Sequence, residues 1–276
     1  ITDQQHDDTN PIQLRKPDLI QPDEQSFSIY NIEIGDRRQN VEVQVGSPKR
    51  VVQNEYHTEW VLYHDHYQHF MMVAYNEDDL VSGLYTNQDL LTSKQGITFS
   101  STQDQVRTAL GEPIEGIRKG WVRYQVQNEN EYDLYQIDNQ YVTIFYDTHE
   151  NNTVTAIQII SKQLENQKEA FFGVPSEALK EGFEYVLFDL TNAVRVRKGL
   201  SVLDWEEPAQ HTARMHSTDM AIHQFFSHTN LNGESPSDRL MRDDIAFRMT
   251  GENLAAGQTS SIFAHEGLMN SLGHRE

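Results

Sequence analysis

The chain contains no cysteine, which excludes disulfides, thiolate metal sites and cysteine nucleophiles together. No apolar run approaches the ~18 residues of a membrane-spanning helix. Cations are scarce, with 22 Lys and Arg against 42 Asp and Glu, a formal charge of −20 over 276 residues. Nothing neutralises phosphates, so nucleic acid is excluded as a partner, and direct docking on an anionic membrane is equally disfavoured. An acid surplus of this kind serves solubility. Neither Ser227 nor Ser271 sits in a Gly-x-Ser-x-Gly elbow, so no serine nucleophile is indicated. His265-Glu266 lacks the histidine one turn later that a helical zinc-protease motif needs, because that position is Met269. The sequence opens on Ile1 rather than Met, as expected if an export signal or anchor precedes it.

What is present is enough to fold. The hydrophobic fraction is 37% with 10% aromatics, sufficient for packed cores, and the length suits two domains. Residues 1–25 are polar and carry Pro11, Pro17 and Pro22 without periodicity. They read either as a tether or as a strap packed along the first domain through Ile12, Leu14 and Leu19-Ile20.

Residues 26–162 hold an internal repeat, with copies at about 32–92 and 97–161. Val45-Gly46-Ser47-Pro48 matches Leu110-Gly111-Glu112-Pro113, Trp60-Val61-Leu62-Tyr63 matches Trp121-Val122-Arg123-Tyr124, and Ala74-Tyr75-Asn76 matches Phe145-Tyr146-Asp147. Each copy reads as a short helix followed by about three antiparallel strands. The helices are marked by Val41/Val45 behind a possible Asp36 cap and by Val106/Leu110 behind Ser101 or Thr102, each stopping at a glycine with proline beyond. In Tyr141–Tyr146, alternation assigns residues 142, 144 and 146 to one face and 141, 143 and 145 to the other. The aromatic series Tyr56, Trp60, Tyr63, Tyr67, Phe70, Tyr75 reads as one sheet face packing on its helix. His57, His64, His66 and His69 invite a metal reading. His64 and His66 would share a strand face, but a solvated face is the better account.

Residues 163–176 read as a linker. Beyond it Phe183, Val186, Leu187, Leu190 and Val194 form an amphipathic stripe closed by Gly199. A second helix carries Ala209, Ala213, His216 and Met220 on one face, with His216 read as a hydrogen-bonded core histidine. Ser235-Pro236-Ser237-Asp238 opens a third helix with a cap, an N1 proline and an acid. A fourth starts after Ser260 or Ser261.

Phe226-Ser227-His228, Gly251-Glu252-Asn253-Leu254-Ala255 and Asn270-Ser271-Leu272-Gly273-His274-Arg275 follow one another in this last part. With Asn192–Arg195 and Ala213–Met220 upstream, they resemble the CAP superfamily (cysteine-rich secretory proteins, antigen 5, pathogenesis-related 1) in its bacterial form. The paired repeats likewise resemble the CAP-associated N-terminal module of secreted Gram-positive proteins. The resemblance implies an α+β chain, with a tandem αβββ repeat module followed by a CAP α-β-α sandwich at 177–276. Relatives continue past this point into the central strands of the sandwich, so the expectation is an incomplete, mostly helical CAP fold. The family cleft of two histidines and two glutamates maps onto His228, Glu252 and His274, with Ser271 at the second glutamate's place and Leu268 where relatives often carry Trp.

Two imidazoles can bind Zn²⁺ or another divalent cation, and Glu252 could orient a metal-bound water or act as a base. It could equally cap a backbone, with the two histidines pinning the fold. The reading is a secreted or surface-tethered protein that binds an extracellular ligand or cation in this His/Glu/His cleft. The alternatives are a metal-dependent hydrolase of peptide or cell-envelope material and a non-catalytic protein-interaction module. Membership of such a family implies no single reaction.

Overall fold

A computed structural model describes residues 14–119, 121–126 and 130–275. Every strand among them lies before residue 162, and every element from 162 onward is helical. The centre is a seven-stranded antiparallel sheet with strand order β2-β3-β4-β5-β11-β10-β9. The first copy supplies β2 (Arg50–Gln53), β3 (Glu59–Asp65), β4 (Gln68–Tyr75) and β5 (Val81–Thr86). The second supplies β9 (Tyr132–Ile137), β10 (Gln140–Asp147) and β11 (Thr153–Ser161). The copies join through β5 and β11, with Leu84 opposite Ile159. Two small two-stranded sheets stand outside it: β1 (Phe27–Ile29) with β6 (Leu91–Ser93), and the hairpin of β7 (Gly116–Lys119) with β8 (Val122–Gln125). The copies therefore contribute four and three strands to the sheet, rather than three each.

The helices α1 (Arg38–Val45) and α2 (Gln103–Leu110) end at Gly46 and Gly111, whose φ values are 84° and 82°. Thr102 caps α2 in a full capping box with Gln105. At α1 the N-cap is Arg37, and Asp36 instead accepts from the Glu33 amide at 2.8 Å. The tryptophan match also fails. Trp60 lies in β3 and is buried, whereas Trp121 stands at the tip of the β7–β8 hairpin, 97% exposed. The tyrosines give the working correspondence. The Tyr63 and Tyr75 hydroxyls meet at 3.0 Å in one copy, while Tyr135 and Tyr146 both donate to Asp133 in the other. A helix arginine completes each group: Arg38 lies over the Tyr75 ring, and Arg107 forks onto Asp133 at 2.8 and 2.9 Å.

Alternation in β10 holds. Val142, Ile144 and Tyr146 enter one core with Val41 and Val106 of the repeat helices, while Phe145 enters the other. The aromatic series does not keep to one face. Tyr63 and Tyr75 join the helix-side core, and Tyr56, Trp60 and Phe70 lie on the opposite side. Trp60 and Tyr63 are an odd number of residues apart, so a strand sends them to opposite faces. That second face is covered by the C-terminal helices α4 (Glu177–Arg197) and α7 (Ser261–Met269), through Val186, Leu190, Ala193 and Ile262.

The stretch 163–176 is no free linker. Ser161 caps a helix α3 (Lys162–Gln167), accepting from the Leu164 amide at 3.1 Å, and Leu164 is buried under the sheet. Residues 14–25 are strapped down by polar contacts more than by their apolar side chains. Leu14 N–H donates to Gln68, the Glu33 carboxylate accepts from the amides of 23, 24 and 25, and Lys94 reaches the carbonyls of Asp23 and Glu24. Residues 1–13, including Ile12, lie outside the described part.

The buried face of α4 runs through Leu179, Gly182, Val186, Asp189, Leu190 and Ala193, with Phe183 and Leu187 only half-buried. It includes small and polar positions that apolar periodicity passes over. A Cβ on Gly182 would stand 2.2 Å from the Gln53 carbonyl oxygen, so the helix reaches β2 because this residue has none. Asp189 accepts from Arg50 at 2.6 Å and from the Tyr67 hydroxyl at 3.1 Å. The remaining helices are α5 (Glu207–His223), α6 (Pro236–Arg242) and α8 (Leu272–Arg275). Several large apolar side chains on this part, including Met215, Ile222, Phe226, Met241 and Met249, are exposed.

Two outcomes are expected. Gly182→Ala normally favours a helix by ~1 kcal/mol, but here overpacking against backbone reverses the sign, and urea unfolding registers a loss of about 2 kcal/mol. Glu55, buried in the β2–β3 turn, is pushed up to about 7 by burial, with Lys168 pulling the other way. Its contribution to stability is complete below its ordinary value of 4.5 and is lost as pH rises through about 7. Glu55→Gln removes a slope of about 1.4 kcal/mol per pH unit in that window, read as the difference between wild-type and variant unfolding curves.

Candidate functional site

Each piece of the candidate cleft is held by local chemistry. His228 lies in the loop from α5 to α6. Ahead of it, α5 ends at Gln224 in a left-handed conformation. Behind it, Asn230 Oδ1 accepts from the amides of Asn232 and Glu234 at 3.1 and 2.8 Å, with Gly233 at φ 83° completing the turn. Ser235 and Asp238 then form a reciprocal capping box over the N1 proline of α6. The loop is therefore locked on both sides of the histidine.

Arg239 of α6 is the centre of the arrangement. It is buried, and its guanidinium donates to the carbonyls of His228 and Glu234 at 2.9 and 3.1 Å and to Glu252 Oε2. Glu252 Oε1 accepts from His228 Nδ1 at 3.0 Å. Both carboxylate oxygens are thus engaged. His228 is left with its Nδ1 turned inward, its side chain 53% exposed against 16% for Glu252. His216 is buried on the inner side of this group. It donates from Nε2 to the Ser227 carbonyl at 2.9 Å, and that nitrogen lies 4.0 Å from Glu252 Oε1. It serves as the core histidine its helix position implies.

His274 does not touch the other two. Its Nδ1 is hydrogen-bonded to Ser271 Oγ at 2.7 Å, and the link to the Glu252 loop runs through Asn253, whose Nδ2 donates to the His274 carbonyl at 3.4 Å. What fixes α8 is the repeat module. Asn270 donates to the Tyr146 carbonyl at 2.9 Å and accepts from Thr148, and Arg275 pairs with Asp147 at 2.6 Å and with Glu150 at 3.0 Å. The conspicuous residues on either side of His274 are anchors into the β10–β11 turn.

The other histidines go elsewhere. His64 is in β3, stacked on Tyr67 at 4.4 Å, and accepts from the Tyr67 amide. Burial, helped by Lys49 and Arg50, lowers it to about 4. His66 sits in the following turn at φ 48° beside Asp65, so the two do not share a strand face. His265 and Glu266 are buried at the seam, where Glu266 accepts from the Tyr85 hydroxyl at 2.9 Å and from His265 at 3.1 Å. Among the described residues, no group of three or more His, Asp or Glu side chains is placed to hold a metal.

Comparison with known proteins identifies the family. The description "CAP-associated N-terminal" matches residues 34–171, and "Cysteine-rich secretory protein family" (CAP) matches residues 188–276. The chain belongs to the CAP family. It is 25% identical over 261 residues to the membrane protein YlbC of Bacillus subtilis 168, covering 88% of this chain and 75% of that one. It is 35% identical over 94 residues to YkwD of the same organism, covering 34% of this chain and 37% of YkwD. An extracellular protein containing an SCP domain from Bacillus anthracis Ames superposes with a TM-score of 0.76 at 23% identity, covering 95% and 91% of the two chains. A cysteine-rich secretory protein of Staphylococcus aureus Mu50 gives 0.65 at 14% identity, covering 94% and 90%. Both structures share the fold over nearly the full CAP-associated and CAP parts. No helix among the described residues is long and apolar enough to cross a membrane.

Sequence reasoning missed Arg239, whose only signal was a position inside the capped helix after the His228 loop. Arg239→Met leaves the Glu252 carboxylate and two carbonyls without their donor. It is expected to cost about 3 kcal/mol and to speed amide hydrogen exchange across 228–234, measured by mass spectrometry.

Proposed function

We propose that this CAP protein works outside the cell or at its surface as a binding protein, taking a polar ligand in the cleft bordered by His228 and His274. The observation that carries the reading is the double engagement of Glu252. A carboxylate whose two oxygens are held by a buried guanidinium and an imidazole is spent on positioning and is a poor free base. What it positions is His228, whose Nε2 is left for a ligand. A carboxylate on one imidazole nitrogen is the arrangement that orients the other nitrogen toward a ligand or metal. The extracellular setting is supported by the extracellular description of the Bacillus anthracis neighbour, and attachment to a surface by the membrane description of YlbC.

A resident Zn²⁺ cofactor does not fit the donor set, since structural and catalytic zinc sites draw at least three protein ligands. A weakly held, exchangeable divalent cation fits better, with the Nε2 atoms of His228 and His274 as the protein's donors and water or a bound ligand filling the rest.

Zn²⁺ titration by calorimetry, beside His228→Ala/His274→Ala, tests this. Saturable uptake in the wild type that the double variant loses is the expected result, accompanied by a rise in Tm with added zinc. Equal uptake by both proteins overturns the cleft as the site. Peptide-bond turnover of casein that disappears in Glu252→Gln would replace binding by hydrolysis.

A further inference from the structure

The two histidines of the cleft are held by different modules. His228 is fixed within the CAP part, by Glu252 on its ring, Arg239 on its carbonyl and His216 on the carbonyl of Ser227. His274 belongs to α8, which has four residues, none of them buried. So short a helix is not stable by itself, and without a buried side chain it has little packing to set its place. Its link to the Glu252 loop is long, 3.4 Å from Asn253 Nδ2 to the His274 carbonyl.

The β10–β11 turn of the repeat module supplies what α8 lacks. Every residue from Tyr146 to Glu150 contacts Asn270 or Arg275, the pair that brackets His274. The Tyr146 carbonyl accepts from Asn270 at 2.9 Å, the Thr148 amide and hydroxyl each donate to Asn270 Oδ1 at 3.0 Å, and His149 Nε2 donates to the Asn270 carbonyl at 2.7 Å. Asp147 and Glu150 take the Arg275 guanidinium at 2.6 and 3.0 Å. The turn is itself tied down on its other side. The Gln103 amide donates to the Asn152 carbonyl and the Val154 amide to the Ser101 carbonyl, both at 2.9 Å. A side chain carried on such a base is placed more closely than one carried on a loop.

We infer, on the reading that the cleft is the site of uptake, that the β10–β11 turn positions His274: Asp147 acts through Arg275, and Thr148 with the Tyr146 carbonyl acts through Asn270. The gap between the Nε2 atoms of His228 and His274 is then set by the docking of one module on the other. The repeat module is part of the binding apparatus although none of its residues touches the ligand. By linkage the effect runs both ways, so a cation that engages both imidazoles also steadies the turn.

Zn²⁺ is the probe, titrated by calorimetry into the full chain, with amide hydrogen exchange read by mass spectrometry. Asp147→Ala is expected to weaken Zn²⁺ roughly tenfold, the usual cost of losing a group that orients a ligand. It speeds exchange over 271–275 and leaves 228–234 at the wild-type rate. Asp147→Asn, which keeps an oxygen for the Arg275 guanidinium, recovers most of the affinity. Thr148→Val, which removes one hydroxyl at nearly constant volume, weakens Zn²⁺ about threefold and serves where Asp147→Ala does not fold. In the wild type, Zn²⁺ slows exchange across 146–153, and in His274→Ala it does not. Zn²⁺ uptake that Asp147→Ala and Thr148→Val both leave unchanged overturns the inference while the cleft stands. An equal loss from Asp147→Ala in a His274→Ala background also overturns it, since the turn would then act on something other than His274. Absence of uptake in the wild type overturns the cleft itself, and this role of the turn with it.

Discussion

The burial of both faces of the seven-stranded sheet governs the rest of the molecule. One face is covered by the repeat module's own helices through Val41 and Val106. The other needs a partner for Trp60, Leu62, Phe70, Met72 and Phe145, and α4 with α7 supplies it. Fully burying a side chain such as Val186, Leu190 or Ile262 is worth roughly 1.5–3 kcal/mol, so the apolar contacts alone favour docking strongly. They do not by themselves set the register of helix on sheet. That falls to the absent side chain of Gly182, which lets α4 approach β2, and to directional ties such as Arg50 with Asp189 and Tyr85 with Glu266. A buried carboxylate left unpaired is expensive, so a shifted register would carry a penalty that the native one avoids.

The same arrangement changes the meaning of the family motifs. Asn192 accepts from the Leu203 amide and donates to its carbonyl, and Arg195 reaches the Ser201 carbonyl, so this piece shapes the loop after α4. Asn270 and Arg275 bind the β10–β11 turn. These residues act on backbone and on the neighbouring module. The His228 loop, in turn, is held by Arg239 and Glu252 rather than by the sheet.

Much of this was legible in local pattern. Alternation in Tyr141–Tyr146, the glycine stops at Gly46 and Gly111, the capping box at Ser235 and the family pieces at His228, Glu252 and His274 each depend on a few neighbouring residues, and such short-range rules survive in a sequence. Other features needed tertiary structure. Trp60 and Trp121 carry similar neighbours but opposite fates, because burial depends on what packs above a strand. Gly182 and Asp189 belong to the docking face although neither is hydrophobic, since steric room and a buried partner decide it. Stretch 163–176 looked like a linker because its polar residues hide the one buried leucine of α3. The contacts of Arg239 and the split of the aromatic series join residues that local pattern does not pair, and spacing along a sequence carries no record of those.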